Sequence, residues 1–248
     1  MQKLIILLST LLMVAGINYS CKKTPQTADN KVTPANFLSS SKYTNLVIEI
    51  NYVSSFAPTD QSISNLTAFL QQRINKPNGI SVTKNAISVS NSGSSYSLSQ
   101  VQDIEIANRK MVTSGSTLTA YILYLDKEYA GTASTQAKVL GINYQKSSIV
   151  LFENTIAQFS GGLTQPSRSL LETTVVEHEF GHVLGLTNNG TPMQTPHQDT
   201  PNGSHCNNSA CLMYYAVETS NVVQNLVGSA PPDLDANCLN DLRANGGK

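Results

Sequence analysis

The chain has 248 residues, with 16 basic and 16 acidic side chains and a formal net charge of zero. That length holds one domain with a sizeable core, and the even charge balance gives no electrostatic footing for nucleic acid or an anionic membrane surface. Only 13% of residues are charged against 40% hydrophobic, so the polar surface falls to Ser, Thr, Asn and Gln, which suits an envelope or secreted protein.

Residues 1–20 read as a targeting segment. Lys3 supplies a positive start, and the apolar run from Leu4 to Ile17 is shorter than the roughly 20 residues of a membrane-spanning helix. Ser20 and then Cys21 follow that run, which resembles a bacterial lipoprotein signal. On that resemblance Cys21 carries the lipid, and the chain is exported and lipid-anchored to a bacterial membrane in the cell envelope. An ordinary signal peptide cut nearby is the alternative. Residues 21–44 are polar, contain Pro25 and Pro34, and read as a tether. The folded domain is expected over 45–248.

Residues 46–53 form a strand by β-branched content and partial alternation. Ile63, Leu66, Phe69, Leu70 and Ile74 recur at spacings of three and four, which predicts a helix over 62–74. Asn78-Gly79 marks a turn before a short strand at 80–82. Residues 88–97 are Ser-rich and loop-like. A helix follows over 98–109, with Ile106 off its apolar face. Residues 118–125 are almost continuously apolar, which predicts a central strand covered on both faces. Residues 139–144 are a more polar strand suited to an edge, and 148–152 are another strand. Gly161-Gly162 breaks the chain, and Pro166-Ser167 opens a helix that Gly185 or Asn188-Asn189-Gly190 can end. Pro231-Pro232-Asp233 starts a last helix to about Arg243. The order predicts an α+β fold, a mixed sheet with helices packed on it.

The helix after Pro166 contains His178-Glu179-Phe180-Gly181-His182. Positions four apart share a helix face, so His178 and His182 can offer two imidazoles to one metal ion. Glu179 stands beside the first, within reach of a water on that ion. This is the layout of a zinc peptidase, with two ligands and a general base on one turn. A catalytic zinc needs a third protein ligand. A glutamate from a following helix, as in thermolysin-type enzymes, would be Glu218, whose neighbours do not form that family's pattern. Only His197 and His205 remain among the four histidines.

Gly185, three residues after His182, and the run from His205 through Cys206, Cys211 and Met213 resemble the metzincin metallopeptidases, the archaemetzincins in particular. Asn188 occupies the position of that family's third ligand, as if an insertion over 187–204 separated Gly185 from its histidine. The resemblance implies zinc on His178, His182 and His205, with His197 as the rival third ligand, partnered otherwise by Asp199. It implies Met213 as a floor beneath the metal and Tyr215 as an oxyanion donor. It further implies a metzincin fold: a twisted five-stranded sheet, an active-site helix in an N-terminal subdomain (45–186), and a small C-terminal subdomain (187–248). Strand 139–144 would then bind an extended peptide.

Archaemetzincins also hold a structural zinc with four cysteines. Here Cys238 is followed by Asp241 where the family's later Cys-x-x-Cys motif has its second Cys. An oxidising envelope favours a Cys206–Cys211 disulfide with Cys238 free. The alternative is a second metal on Cys206, Cys211 and Cys238, with Asp241 as a further ligand. The function implied is zinc-dependent endopeptidase activity on protein or peptide substrates by a monomer. The rival is a surface lipoprotein that binds a partner through the insertion, its zinc site vestigial.

Overall fold

The computed structural model describes residues 32–131, 137–224, 226 and 228–248. The signal segment and Cys21 lie outside the described residues. In chain order the elements are α1 (Pro34–Leu38), β1 (Asn45–Val53), α2 (Asp60–Arg73), β2 (Ile80–Ile87), β3 (Ser95–Tyr96), α3 (Leu98–Asn108), β4 (Thr117–Leu125), β5 (Glu128–Tyr129), β6 (Gly141–Gln145), β7 (Ser148–Phe152), α4 (Glu153–Gln158), α5 (Arg168–Val183) and α6 (Ala236–Ala244). Among the described residues no helix is long and apolar enough to cross a membrane.

Five strands form one mixed sheet in the order β2-β1-β4-β7-β6. β1 runs parallel to β2 and β4, and β4 parallel to β7. β6 returns antiparallel on β7 and forms the edge. The unbroken apolar run of β4 places it in the middle, because successive side chains leave opposite faces of a strand and both faces here are covered. Leu118, Ala120, Ile122 and Tyr124 join the larger core with residues of α2 and α5, whereas Tyr121, Leu123 and Leu125 join Val101 and Ile104 of α3. Ile106 is 37% exposed, off the apolar face as its spacing predicts.

Three expectations are corrected, and one short helix is added. The tether ends before α1, because residues 32–44 belong to the fold. Val32, Phe37 and Leu38 are buried, the Phe37 ring meets Phe180 of α5 edge-on at 6.1 Å, and Lys76 Nζ donates to the Asn36 and Tyr43 carbonyls. A five-residue helix is too short to show periodicity. β2 runs on to Ile87 because its backbone stays in register with β1 as far as Val53, whatever its side chains. α4 follows β7 directly and carries too few apolar residues to announce itself. The last helix starts at Ala236, where Asp235 accepts from the Cys238 N–H, and not at the prolines.

Candidate metal centre

Ser167 caps α5, its hydroxyl oxygen accepting the Leu170 N–H at 3.2 Å. Gly185 ends the helix at φ +78°. There the Leu186 N–H bonds to the Gly181 carbonyl and the Gly185 N–H to that of His182, the paired bonds of a left-handed cap. A β-carbon at Gly185 would meet Pro34 at 2.6 Å and the Thr191 nitrogen at 2.7 Å, so glycine is required twice over. The helix is buried from Leu170 to Val183.

His178 and His182 lie one turn apart with their Nε2 atoms 3.2 Å from each other. The insertion brings in the third imidazole. Its ends are pinched together where the Thr187 hydroxyl donates to the Ser204 carbonyl, so the chain returns to where it left and His205 follows at once. The His205 ring centroid lies 5.3 Å from that of His178 and 5.0 Å from that of His182. His178 Nδ1–H donates to the Leu212 carbonyl at 2.7 Å and His205 Nδ1–H to the Asn202 carbonyl at 2.6 Å. These bonds fix the tautomers and leave both Nε2 lone pairs pointing at one place, the usual outer support of ligating histidines.

Burial, then the neighbouring imidazoles, hold His178 well below the ordinary histidine range and His182 down to about 3. Both are therefore neutral and able to donate a lone pair. Burial also works to lower His205, but Glu218 and the Asn202 carbonyl outweigh it and raise that group. Glu218 Oε2 lies 3.5 Å from His205 Nε2, and the donor atoms of His178, His182, His205 and Glu218 all fall within 4.8 Å of one another. Glu179 is fully buried and both its carboxylate oxygens lack a partner. Burial, followed by the Glu218 charge, lifts its pKa well above the carboxylate range.

Two glycines let neighbours close on this turn. A β-carbon on Gly181 would collide with Met213 Sδ, and one on Gly141 of β6 would sit 2.6 Å from Val175 and 3.1 Å from Glu179 Cγ. The turn around Met213 thus lies against the helix, and edge strand β6 passes beside Glu179. A groove of about 490 Å³ runs along β6, lined by Asn143, Tyr144 and Gln145 on one side and His182, Asn189 and Gly190 on the other. Tyr215 opens the 3-10 turn that ends at Glu218, and its ring packs on Tyr214 with centroids 4.6 Å apart. Among the described residues no hydrogen bond joins it to the imidazoles.

His197 goes elsewhere. Its Nε2–H donates to Asp241 at 2.8 Å, not to Asp199, and Nδ1 faces Cys206 Sγ at 3.5 Å and Cys238 Sγ at 4.0 Å. The expected Cys206–Cys211 disulfide is absent: Cys206, Cys211 and Cys238 are each free and buried. Cys211 and Cys238 sulfurs are 3.7 Å apart, against about 2.05 Å for a bond. Hydrogen bonds with Cys206 and Cys238 pull the Cys211 thiol down to about 4, while those with Cys206 and then Cys211 push Cys238 up. The spacing rule that pairs neighbouring cysteines misses this centre because its fourth member, His197, comes from the insertion. In the sequence the centre shows only as Cys206, Cys211 and Cys238 close to His197, the rival histidine.

No family model matches the chain, and no curated protein sequence matches it. Among solved structures it is similar to archaemetzincin from Methanopyrus kandleri, with a TM-score of 0.52 and 12% identity over 82% of this chain and 96% of that one. It also aligns with metalloproteinase-II from Bacteroides fragilis, with a TM-score of 0.45 and 13% identity over 83% of this chain and 55% of that one. The five-stranded mixed sheet with its helices is an archaemetzincin-like fold.

Proposed function

We propose that a protein with this archaemetzincin-like fold is a zinc-dependent endopeptidase. The supporting observation is the set of buried atoms left without hydrogen-bond partners: His205 Nε2, with only the Glu218 carboxylate 3.5 Å away, and both oxygens of Glu179, around two neutral imidazoles. Buried polar atoms are costly unless satisfied, and a divalent ion with a water beside it satisfies all three. The donor set, three imidazoles of which His178 and His205 have Nδ1 held by backbone carbonyls, suits zinc. His178, His182 and His205 would hold the ion. When bound, zinc supplies Lewis acidity that polarises a scissile carbonyl and acidifies water.

Glu179 takes the proton of the attacking water and delivers it to the leaving amine. Both its oxygens lack hydrogen-bond partners, which leaves them available to a water at the neighbouring ion. The free edge of β6 accepts an extended peptide by strand addition, beside the groove that ends at His182. Tyr215 is the candidate hydrogen-bond donor to the oxyanion. A second, structural zinc takes His197, Cys206 and Cys238, whose donor atoms lie with an Asp235 carboxylate oxygen within 4.8 Å of one another, with Cys211 Sγ 3.7 Å from Cys238 Sγ as a further thiolate and Asp241 orienting His197 from behind. Export of the chain as a monomer, lipid-anchored through Cys21, belongs to the same proposal.

The test is hydrolysis of a broad peptide library by the zinc-loaded chain, with and without chelator, beside Glu179→Gln. The expected result is chelator-sensitive cleavage that drops by about 10²–10⁴-fold in the variant with zinc content unchanged. If wild type and variant are equally silent, the surface-binding reading of the lipoprotein replaces this one.

A further inference from the structure

Glu218 has no place in the mechanism above, yet its carboxylate lies among the metal donors. It touches His205 through Nε2, the atom that would face an ion, and not through Nδ1, which the Asn202 carbonyl occupies. A carboxylate that supports a ligating histidine from behind bonds the other nitrogen. Glu218 therefore stands on the metal's side of the ring. Donors about 2.0–2.2 Å from a tetrahedral zinc lie about 3.3–3.6 Å apart along each edge. The His178–His182 pair is separated by 3.2 Å and the His205–Glu218 pair by 3.5 Å, two opposite edges of such a figure.

We infer that Glu218 is a fourth protein donor to the ion held by His178, His182 and His205, and that it closes the coordination position an attacking water needs. This rests on the peptidase reading of the site. Catalytic zinc keeps an open position and structural zinc does not, so a carboxylate in that place closes the resting site until an arriving peptide displaces it.

The local structure suits a cap that can leave. The Glu218 backbone is fixed: its carbonyl accepts the Leu140 N–H at 2.8 Å, and the Ser220 N–H bonds to the Lys138 carbonyl at 2.8 Å. The Lys138 N–H in turn donates to Ser220 Oγ at 3.0 Å. The side chain is 35% exposed and, among the described residues, its ion pair is with His205 alone. Rotation about its own bonds removes it from the site with no movement of the main chain. Residues 138–140 run directly into β6, the edge proposed to receive substrate, so an arriving peptide meets the segment that carries the cap.

The full chain loaded with cobalt(II) tests this, because the d–d absorption of cobalt at the imidazole site reports an exchangeable ligand. Cobalt bound to thiolate is read separately in its charge-transfer bands. Azide is the probe, and Glu218→Gln and Glu218→Ala are the variants. The expected result is a wild-type spectrum that azide leaves unchanged at concentrations that saturate both variants. Zinc affinity falls in Glu218→Ala by at least about tenfold, the lower bound for losing even an outer-shell partner. Azide binding of equal strength in all three proteins overturns the inference. The two ways of failing differ. If only the cap is wrong, wild type binds azide freely and hydrolyses peptide at a rate that Glu179→Gln abolishes. If only the peptidase reading is wrong, the azide difference persists and no protein hydrolyses peptide.

Discussion

Gly181 faces Met213 Sδ across a gap that has no room for a β-carbon. The two residues tie the helix carrying His178 and His182 to the turn whose Leu212 carbonyl orients His178. Met213 is fully buried, so it cannot yield space without disturbing that turn. In Gly181→Ala, overpacking costs about 1–3 kcal/mol, of which the better helix propensity of alanine returns about 1 kcal/mol. A net destabilisation of about 1 kcal/mol is expected in urea unfolding, together with weaker zinc binding. An unchanged zinc affinity contradicts the coupling.

His205 and His197 answer to different centres, and metal counting separates them. Wild type should carry two zinc ions per chain by atomic absorption. His205→Ala should keep the ion of the cysteine cluster and lose the other along with hydrolysis. His197→Ala should lose the cluster's ion first and keep a chelator-sensitive, active site. If His197→Ala empties the His178–His182 centre instead, the two ligand sets are misassigned.

Cys206, Cys211 and Cys238 should all react as free thiols. Alkylation of the unfolded, chelated chain without reductant, followed by peptide mapping, should label each one. Recovery of a Cys206–Cys211 or Cys211–Cys238 cross-linked peptide would exclude the three-thiolate centre.

Glu153 makes stability depend on pH. It is wholly buried, with Oε1 accepting from Arg168 Nε at 2.7 Å and Oε2 without a partner. Burial first, then the Glu172 charge, raises its pKa to about 9 against the pull of Arg168. Unfolded, a glutamate titrates near about 4.3, so the folded state binds the proton more tightly. The stability this confers is complete below about pH 4.3 and is lost as pH rises towards 9, by up to about 1.4 kcal/mol per unit. The urea midpoint should fall between pH 5 and 9, and Glu153→Gln should flatten that slope. An identical slope in the variant would remove Glu153 as its cause.

Much of the fold was legible because burial writes itself into spacing. β4 shows an unbroken apolar run since both its faces are covered, and α2 shows the three-four spacing of a single covered face. α1 and α4 leave no such mark, because one or two turns carry too few residues to establish a period. β2 was cut short because its last residues are held by backbone pairing to β1, which leaves no mark on side-chain type.

The sequence by itself determined what four-residue periodicity can carry: two imidazoles and a carboxylate on one turn of α5, a glycine that ends it, and a polar strand suited to the sheet edge. These follow from local geometry, which consecutive residues share. Only the tertiary structure decided the rest. Which histidine joins His178 and His182 depends on a loop closing at Thr187 and Ser204. The partner of the cysteines depends on where that loop sends His197, beside Asp241 from α6. Glu218 reaches the donors because the main chain around it is pinned to the strand edge at Lys138 and Leu140. Such contacts join residues far apart along the chain, and side-chain type alone does not encode the path between them.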